Sequence, residues 1–397
     1  MRACLFLLCA VLASAAERAP RPYYAVAPGA LEQAAAKLKA GDAETAAALK
    51  RLVSDADKAL SLAPPSVTEK RKVPPSGDKH DYMSMAPYFW PNPAKPDGLP
   101  YVRRDGKVNP EAHAPENNDT VRIRELGNAV ETLALAYRFT GKPEYAAHAA
   151  RFLRTWCLDP ATRMTPRFAY AQAVLGVNDG RGTGILEARS LVEALDAASL
   201  LAGSAAWTAA DQQALDQWSE QFLDWLLASK PGQDEAAAKN NHGTWFDVQT
   251  AKLALIVGRT GVAQGILRAV PSRRLAVQVA ASGEQPLELA RTASFTYSCF
   301  NLEAHGQLAV LGEHAGVDLW RARSPEGRTL RAALDYLLPY LGKDAKPWPF
   351  EQIRAAKPAE LAPLLRRAAQ VYADPKYEQA SAEAGVGKRL PLLQPAR

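Results

Sequence analysis

Helical segments that come in pairs limit the possible folds more than any other feature of this chain. "LEQAAAKLKAG" and "DAETAAALKRLVSDADKALSLA" are Ala-rich and amphipathic; Asp42 stands where an N-cap belongs, and "APP" ends the second. "DTVRIRELGNAVETLALAYRFTG" passes through the short turn "GKP" into "KPEYAAHAARFLRTWCLD". "ILEARSLVEALDAASLLAG" and "TAADQQALDQWSEQFLDWLLASK" make a further pair, and helical patterns continue to about residue 343 and again over 357–373. No period-2 strand stands out. Helices joined by short turns, with longer loops at alternate junctions, predict stacked αα-hairpins. A regular solenoid would show a repeat of fixed period, and none is present. The expected fold is all-α: an α/α toroid, or incomplete barrel of helical hairpins, with a cleft where the long loops gather.

The first residues, "MRACLFLLCAVLASAAERAP", have the anatomy of a signal peptide. Arg2 supplies the positive charge, Ala3 to Leu12 the apolar stretch, and "ASA" or "SAA" the small-residue cleavage site. Residues 1–16 are assigned to the leader, cut near Ala15 or Ala16, and 17–397 to one toroid domain. The apolar run is too short for a membrane span. A periplasmic or secreted protein follows. Export would remove Cys4 and Cys9 and leave Cys157 and Cys299. These two form either a single disulfide or two buried thiols, and the buried-thiol reading is the simpler.

Segment 64–116 is the longest interruption, rich in Pro, Gly and aromatics. A stretch this long between helices is functional or disordered, and its aromatics argue against disorder. The expectation is an aromatic-rich lid over the cleft. Its candidate substrate contacts are His80, Tyr82, Tyr88, Trp90, Tyr101, Arg103 and Arg104. Aromatic rings stack on sugar faces, and Arg grips carboxylates with two parallel hydrogen bonds. The plain alternative is a loop pinned to the body by its own aromatics. Charge points the same way as the arginines. Lys and Arg number 48 against 42 Asp and Glu, a net charge of +6, and no run of five like charges occurs. That pattern does not suggest a nucleic-acid partner, and it suits a soluble anionic substrate.

Two polar clusters interrupt otherwise apolar helices. In "RTASFTYSCFNLEAH", helical spacing places Arg291, Ser294, Tyr297, Ser298, Asn301 and His305 within a wedge of roughly 120°. Such a wedge is either a polar cleft wall or a buried hydrogen-bond network. In "NNHGTWFDVQ", Asn240 or Asn241 suits an N-cap, and His242, Trp245 and Gln249 share one face. The backbone N–H groups of a helix start add positive potential for an anion. A third motif, "NDGRGTGILEAR", sets Arg181 between glycines, either for close backbone packing or as a substrate contact.

Other chemistries lack their motifs. There is no H-E-x-x-H, no cysteine pair with zinc spacing, no G-x-S-x-G and no phosphate loop. No metal and no cofactor are therefore expected. A glycoside hydrolase stays open, with Glu187, Asp247 and Glu303 as its candidate carboxylates.

"NNHGTW", "RTASFTYSCFNL" and "KHDYMSMAPYFWPNP…GLPYVRRDG" occur in the order seen in the alginate lyase superfamily of polysaccharide lyases, and the chain resembles that superfamily over roughly residues 70–320. The pattern is most similar to polysaccharide lyase family 38, which is related to family 5. Family 5 spaces its Arg and Tyr seven apart, and here Arg291 and Tyr297 are six apart. The resemblance implies an α/α toroid and β-elimination of uronate polymers with no obligatory metal. It also implies an anionic polysaccharide partner, alginate first, and a site at Asn241, His242, Arg291 and Tyr297. Asn301 joins the candidate substrate contacts from the polar wedge.

The chemistry imposes its own demands. The C5 proton of a uronate is weakly acidic because the neighbouring carboxylate is already negative. Donors such as Asn241, His242 and Arg291 must neutralise that charge as the enolate develops. A base takes H5 and an acid protonates O4. Where H5 and O4 lie on one face (syn), Tyr297 does both; where they lie on opposite faces (anti), His242 is the base and Tyr297 the acid. Arg291 beside Tyr297 is expected to favour the phenolate. Besides an alginate lyase, a glucuronan lyase with the same machinery, an α/α-toroid hydrolase and a non-catalytic glycan binder are the alternatives.

Overall fold

The computed structural model describes residues 21–342, 344–355, 358–385 and 390–396. The leader assigned to 1–16 lies outside the described residues. Helices α1 (Ala30–Lys39) and α2 (Ala43–Ala59) open the chain, followed by α3 (Thr120–Thr140), α4 (Pro143–Leu153), α5 (Arg189–Ala197), α6 (Ala209–Ala228), α7 (Lys230–Ala236), α8 (Asn241–Ile256) and α9 (Thr260–Val270). The second half holds α10 (Ala276–Gln278), α11 (Pro286–Leu289), α12 (Ser294–Ala315), α13 (Leu330–Leu337), α14 (Ala362–Tyr372), α15 (Pro375–Ala384) and α16 (Leu390–Leu393). Local chemistry sets many of the ends. The Asp42 side chain accepts from the Thr45 N–H at the start of α2. Thr208 and Asp211 form a reciprocal capping box on α6. Gly141, at φ 69, ends α3, and Pro143 starts α4 two residues later.

Burial separates these helices into two layers. On α8 every residue from Gly243 to Ile256 is buried, and α12 is buried on most of its surface. An element apolar all round belongs inside. On α2, by contrast, Thr45, Ala48, Leu52, Ala56 and Ala59 form one buried stripe at helical spacing. Helices α3, α5, α8 and α12 pack in succession as the inner layer, with α4, α6 and α9 against them outside. The short α16 packs back onto α1 and α2, so the end of the chain returns to its beginning. One apolar cluster runs from Tyr23 to Leu392. This is the expected α/α toroid. No helix among the described residues is long and apolar enough to cross a membrane.

One expectation needs correction. Four short strands are present among the described residues: β1 (Met83–Met85) pairs in parallel with β4 (Tyr170–Ala173), and β2 (Phe89–Trp90) pairs antiparallel with β3 (Val102–Arg103). Strands of two to four residues are too short to display a period of two. Before "NNHG", Ser229 caps the seven-residue α7. Cys157 and Cys299 are both free and buried, which removes the disulfide alternative.

Segment 64–118 is tied down by a buried ion pair. Lys70 Nζ lies 2.9 Å from Asp119 Oδ2, both side chains fully buried. Lys70 also donates to the carbonyls of Val67 and Lys79. Burial pushes the Asp119 carboxyl up to about 6 in spite of Lys70, and burial lowers the Lys70 ammonium. Burial works against the charge on both groups, and the pair ties residue 70 to the start of α3. Lys70→Met would take the nearest cation from buried Asp119 and leave it the Met83 N–H and Arg122 at 3.6 Å. It is expected to cost about 3–5 kcal/mol of stability, measured as a lowered urea midpoint at unchanged slope.

Candidate active site

Four inner helices begin at one place. Thr120 and Arg124 of α3, Arg189 and Ser190 of α5, Asn241 and His242 of α8, and Thr296 and Tyr297 of α12 all line a single cleft of about 450 Å³. The N-terminal ends of the inner layer therefore converge, and their partial positive charges add. Six arginines line the same cleft (Arg103, Arg124, Arg181, Arg189, Arg291 and Arg354), against the carboxylates Glu187 and Glu360. A hollow of this sign concentrates anions.

At the mouth of α8 the cap is not the one expected. Asn240 occupies the N-cap position, but its side chain makes no capping bond. Glu288 of α11 does the work instead, accepting from the Asn241 backbone N–H and from Asn241 Nδ2, both at 2.7 Å. The Oδ1 of Asn241 is buried with no partner among the described residues. His242 lies beside it, and its Nδ1 is 2.6 Å from Glu235 Oε1 on α7. A carboxylate at Nδ1 accepts that N–H and leaves Nε2 as an acceptor. The glycine of "NNHG" is required by packing. A Cβ on Gly243 would stand 2.1 Å from the Ala238 carbonyl and 2.2 Å from Arg274 Nη1. That Arg274 forms a buried two-bond pair with Asp247 (2.7 and 2.9 Å).

On α12 the polar wedge divides in two. Arg291 precedes the helix, which starts at Ser294, so it does not share the helical face. It reaches Asp105 with Nε and Nη2 (3.1 and 2.9 Å), and its guanidinium lies 3.7 Å from the Tyr297 ring centroid. Tyr297 lines the cleft, with its hydroxyl 2.7 Å from that of Tyr88. Burial raises the Tyr297 phenol well above its ordinary value, and Tyr88 adds to the rise; Arg291 and Arg354 oppose it without reversing it. The expected phenolate is thus corrected: Tyr297 rests as a neutral phenol. Asp105 is held down to about 2: burial alone would raise it, but the hydrogen bonds and charge of Arg291, then those of Arg103, outweigh burial. Deeper in the wedge, Asn301 donates to Gln278 and Gln285, and His305 meets Gln278 at 3.1 Å. Burial pushes His305 down to about 3. That end of the wedge is the buried-network alternative.

Of the segment 64–116 candidates, Tyr88 and Arg103 line the cleft. The others serve the fold. Tyr82 is fully buried, stacks on Phe168 at 4.2 Å and donates to Glu187 at 2.7 Å. His80 Nδ1 is 2.6 Å from the Arg163 carbonyl, in a separate depression with Trp218. Trp90 donates to the Lys107 carbonyl beneath Arg104, and Tyr101 donates to Glu111. These aromatics pin the β2–β3 hairpin that forms a cleft wall. Trp245 and Gln249 are buried below His242 and do not line the cleft, nor does Asn301.

The Arg181 segment packs closely, and its side chain faces the cleft. Its flanking glycine, Gly182, is close-packed, since a Cβ there would meet the Pro231 carbonyl at 2.7 Å. The side chain lines the cleft, 5.0 Å from the Phe89 ring, and donates to Gln172 twice. Gln172 itself sits at φ 50, a left-handed conformation unusual for a non-glycine residue. Strain of this kind gathers at functional sites. The hydrolase carboxylates are not brought together. Glu187 lines the cleft, Asp247 is paired with Arg274, and Glu303 faces an inner cavity with Glu193 and Lys252.

The family model described as alginate lyase matches residues 66–348 of this chain. The crystal structure of an alginate lyase from Bacteroides ovatus superposes with a TM-score of 0.88 at 39% identity, covering 94% of this chain and 98% of that one. Alginate lyase A1-III from Sphingomonas species A1 shares the fold at 17% identity and a TM-score of 0.61, covering 94% and 96%. A variant of that lyase complexed with a tetrasaccharide gives 18% and 0.61 over the same shares. Among curated proteins none matches the chain.

Proposed function

The chain belongs to the alginate lyase family of polysaccharide lyases, and from that premise we propose that it opens alginate by β-elimination between His242 and Tyr297. The observation that carries the proposal is the pairing of an oriented imidazole with a neutral phenol on one cationic cleft. Glu235 fixes the imidazole so that Nε2 is available to accept H5. Tyr297 holds a proton to give to O4 as the bond to the next sugar breaks. His242 is then the base and Tyr297 the acid for an anti elimination. For a syn elimination Tyr297 must act twice, and its raised pKa makes the first step, as base, the harder one.

Charge neutralisation is divided among several groups. Asn241 has a second amide N–H beyond the one given to Glu288, and the starts of α8 and α12 add backbone dipoles. Arg291 is already held by Asp105, so part of its effect runs through Tyr297. Its charge lies on the ring face and favours the phenolate that forms as the proton leaves. No step requires a metal. Export to the periplasm or medium belongs to the same proposal and rests on the leader-like residues 1–16.

The test is a substrate panel. Purified protein incubated with alginate is expected to generate ultraviolet-absorbing unsaturated ends. Polyglucuronate and hyaluronan serve as competitors, and stronger cleavage of polyglucuronate would reassign the substrate to glucuronan. Saturated reducing ends instead would make the enzyme a hydrolase and end the proposal.

A further inference from the structure

The cleft arginines differ in what already holds them. Arg103 and Arg291 both donate to Asp105, and Arg181 donates to Gln172. Arg124, Arg354 and Arg189 have no such acceptor among the described residues, and Arg189 is set apart by its surroundings. It is the first residue of α5 and lines the cleft. Among the described residues no hydrogen-bond acceptor or ion-pair partner holds it, and its Nε is buried with no partner. Its guanidinium instead lies 4.3 Å from the Trp245 ring centroid and 4.7 Å from that of Phe300. Attraction to the two ring faces holds the guanidinium plane in place. The N–H edge is left unused, and its fork has the shape that matches a carboxylate.

Its position relative to the acid–base pair is set by helix geometry. Trp245 follows His242 by three residues on α8, and Phe300 follows Tyr297 by three on α12. Three residues advance a helix by about 4.5 Å. Both helices begin at the cleft, so Arg189 stands about one turn below His242 and Tyr297, a depth comparable to one sugar ring. Beneath it, Glu193 and Glu303 face the inner cavity. Burial raises both carboxyls, Glu303 to about 7; Arg189 partly offsets the rise at Glu303, and Lys252 ahead of Arg189 does so at Glu193.

We propose that Arg189 is a specificity-determining residue that receives the carboxylate of the uronate adjacent to the sugar being opened. This rests on the lyase reading above. A neutral sugar at that place would leave the guanidinium edge desolvated and unpaired, so the site selects a run of at least two uronates. The contact does not change as C5 and O4 react, so its loss falls on binding and not on the chemical step.

The experiment compares kcat and KM of the wild type, Arg189→Gln and Arg189→Lys on alginate oligosaccharides of defined length, with circular dichroism to establish folding. Arg189→Gln is expected to raise KM by about 10- to 100-fold, the effect of losing a charged hydrogen-bonding partner. Its kcat is expected to stay within about threefold of wild type. Arg189→Lys should recover only part of the loss, because a point charge lacks the fork. If Arg189→Gln does not fold, the wild type carries the test. Oligosaccharides whose neighbouring carboxyl has been reduced to an alcohol should show the same rise in KM. Unchanged KM in the folded variant or with the reduced sugar would overturn the proposal. So would a fall in kcat at constant KM, which would place Arg189 at the reacting sugar. A wild type that releases no unsaturated product defeats the lyase reading instead, so the two failures are distinct.

Discussion

Tyr297→Phe is expected to lower turnover of alginate by about 10²–10⁴-fold and to leave the fold intact. The substitution removes one hydroxyl whose protein partner is Tyr88, and it keeps the ring beneath Arg291. Packing is conserved and the proton for O4 is lost. Initial rates followed by ultraviolet absorbance give the first quantity, and thermal unfolding gives the second. Near-wild-type rates in a folded variant would remove Tyr297 from the mechanism. The wild type also carries a pH signature. An acid must be protonated to act, and burial with Tyr88 holds this phenol above its ordinary value. The alkaline fall of kcat should therefore begin above about pH 10, the unperturbed tyrosine value. An alkaline limb near neutrality would show that Arg291 dominates the phenol after all.

What the sequence revealed and what it hid follow from the range of each interaction. The toroid was legible because its cause is local: a helical period, caps such as Asp42, and the Gly141–Pro143 turn are all read within a few residues. Asn241, His242, Arg291 and Tyr297 were legible as polar side chains in apolar surroundings, and the family resemblance placed them together. Their partners were not. Asp105 reaches Arg291 from 186 residues away, and Tyr88 reaches Tyr297 from 209. No periodicity carries a contact of that separation. Glu235 is only seven residues before His242, but it sits on a helix too short to show a pattern. Glu288 replaces a cap that Asn240 was equally suited to supply. The aromatic hairpin misled for a different reason. A Tyr or Trp that stacks on sugar and one that pins a loop look alike until burial and partners are known. Tyr82 and Trp90 are of the second kind. Arg189 is not legible in sequence because two rings distant from it, Trp245 and Phe300, define its setting.

His242→Ala separates the two roles open to that residue. Mannuronate and guluronate are C5 epimers, so H5 lies on the face of O4 in one and on the opposite face in the other. If His242 is the base from across the cleft, its loss should cost about 10²–10⁴-fold on the epimer that requires anti elimination. The loss on the syn epimer should be at least about tenfold smaller, because Tyr297 and Tyr88 remain on the O4 side to move the proton. If His242 only neutralises the substrate carboxylate, both epimers need it equally and the two losses coincide. Block-enriched polymannuronate and polyguluronate, assayed side by side, make the comparison. Glu235→Gln adds a control that a purely structural role would not satisfy. Glutamine keeps the hydrogen bond to Nδ1 but removes the negative charge that stabilises the imidazolium formed as H5 is taken. The loss should therefore be smaller than that of His242→Ala and fall on the same epimer. Equal damage to both polymers from Glu235→Gln would instead make the Glu235–His242 pair a brace between α7 and α8. The base would then have to be sought among the other groups facing the cleft.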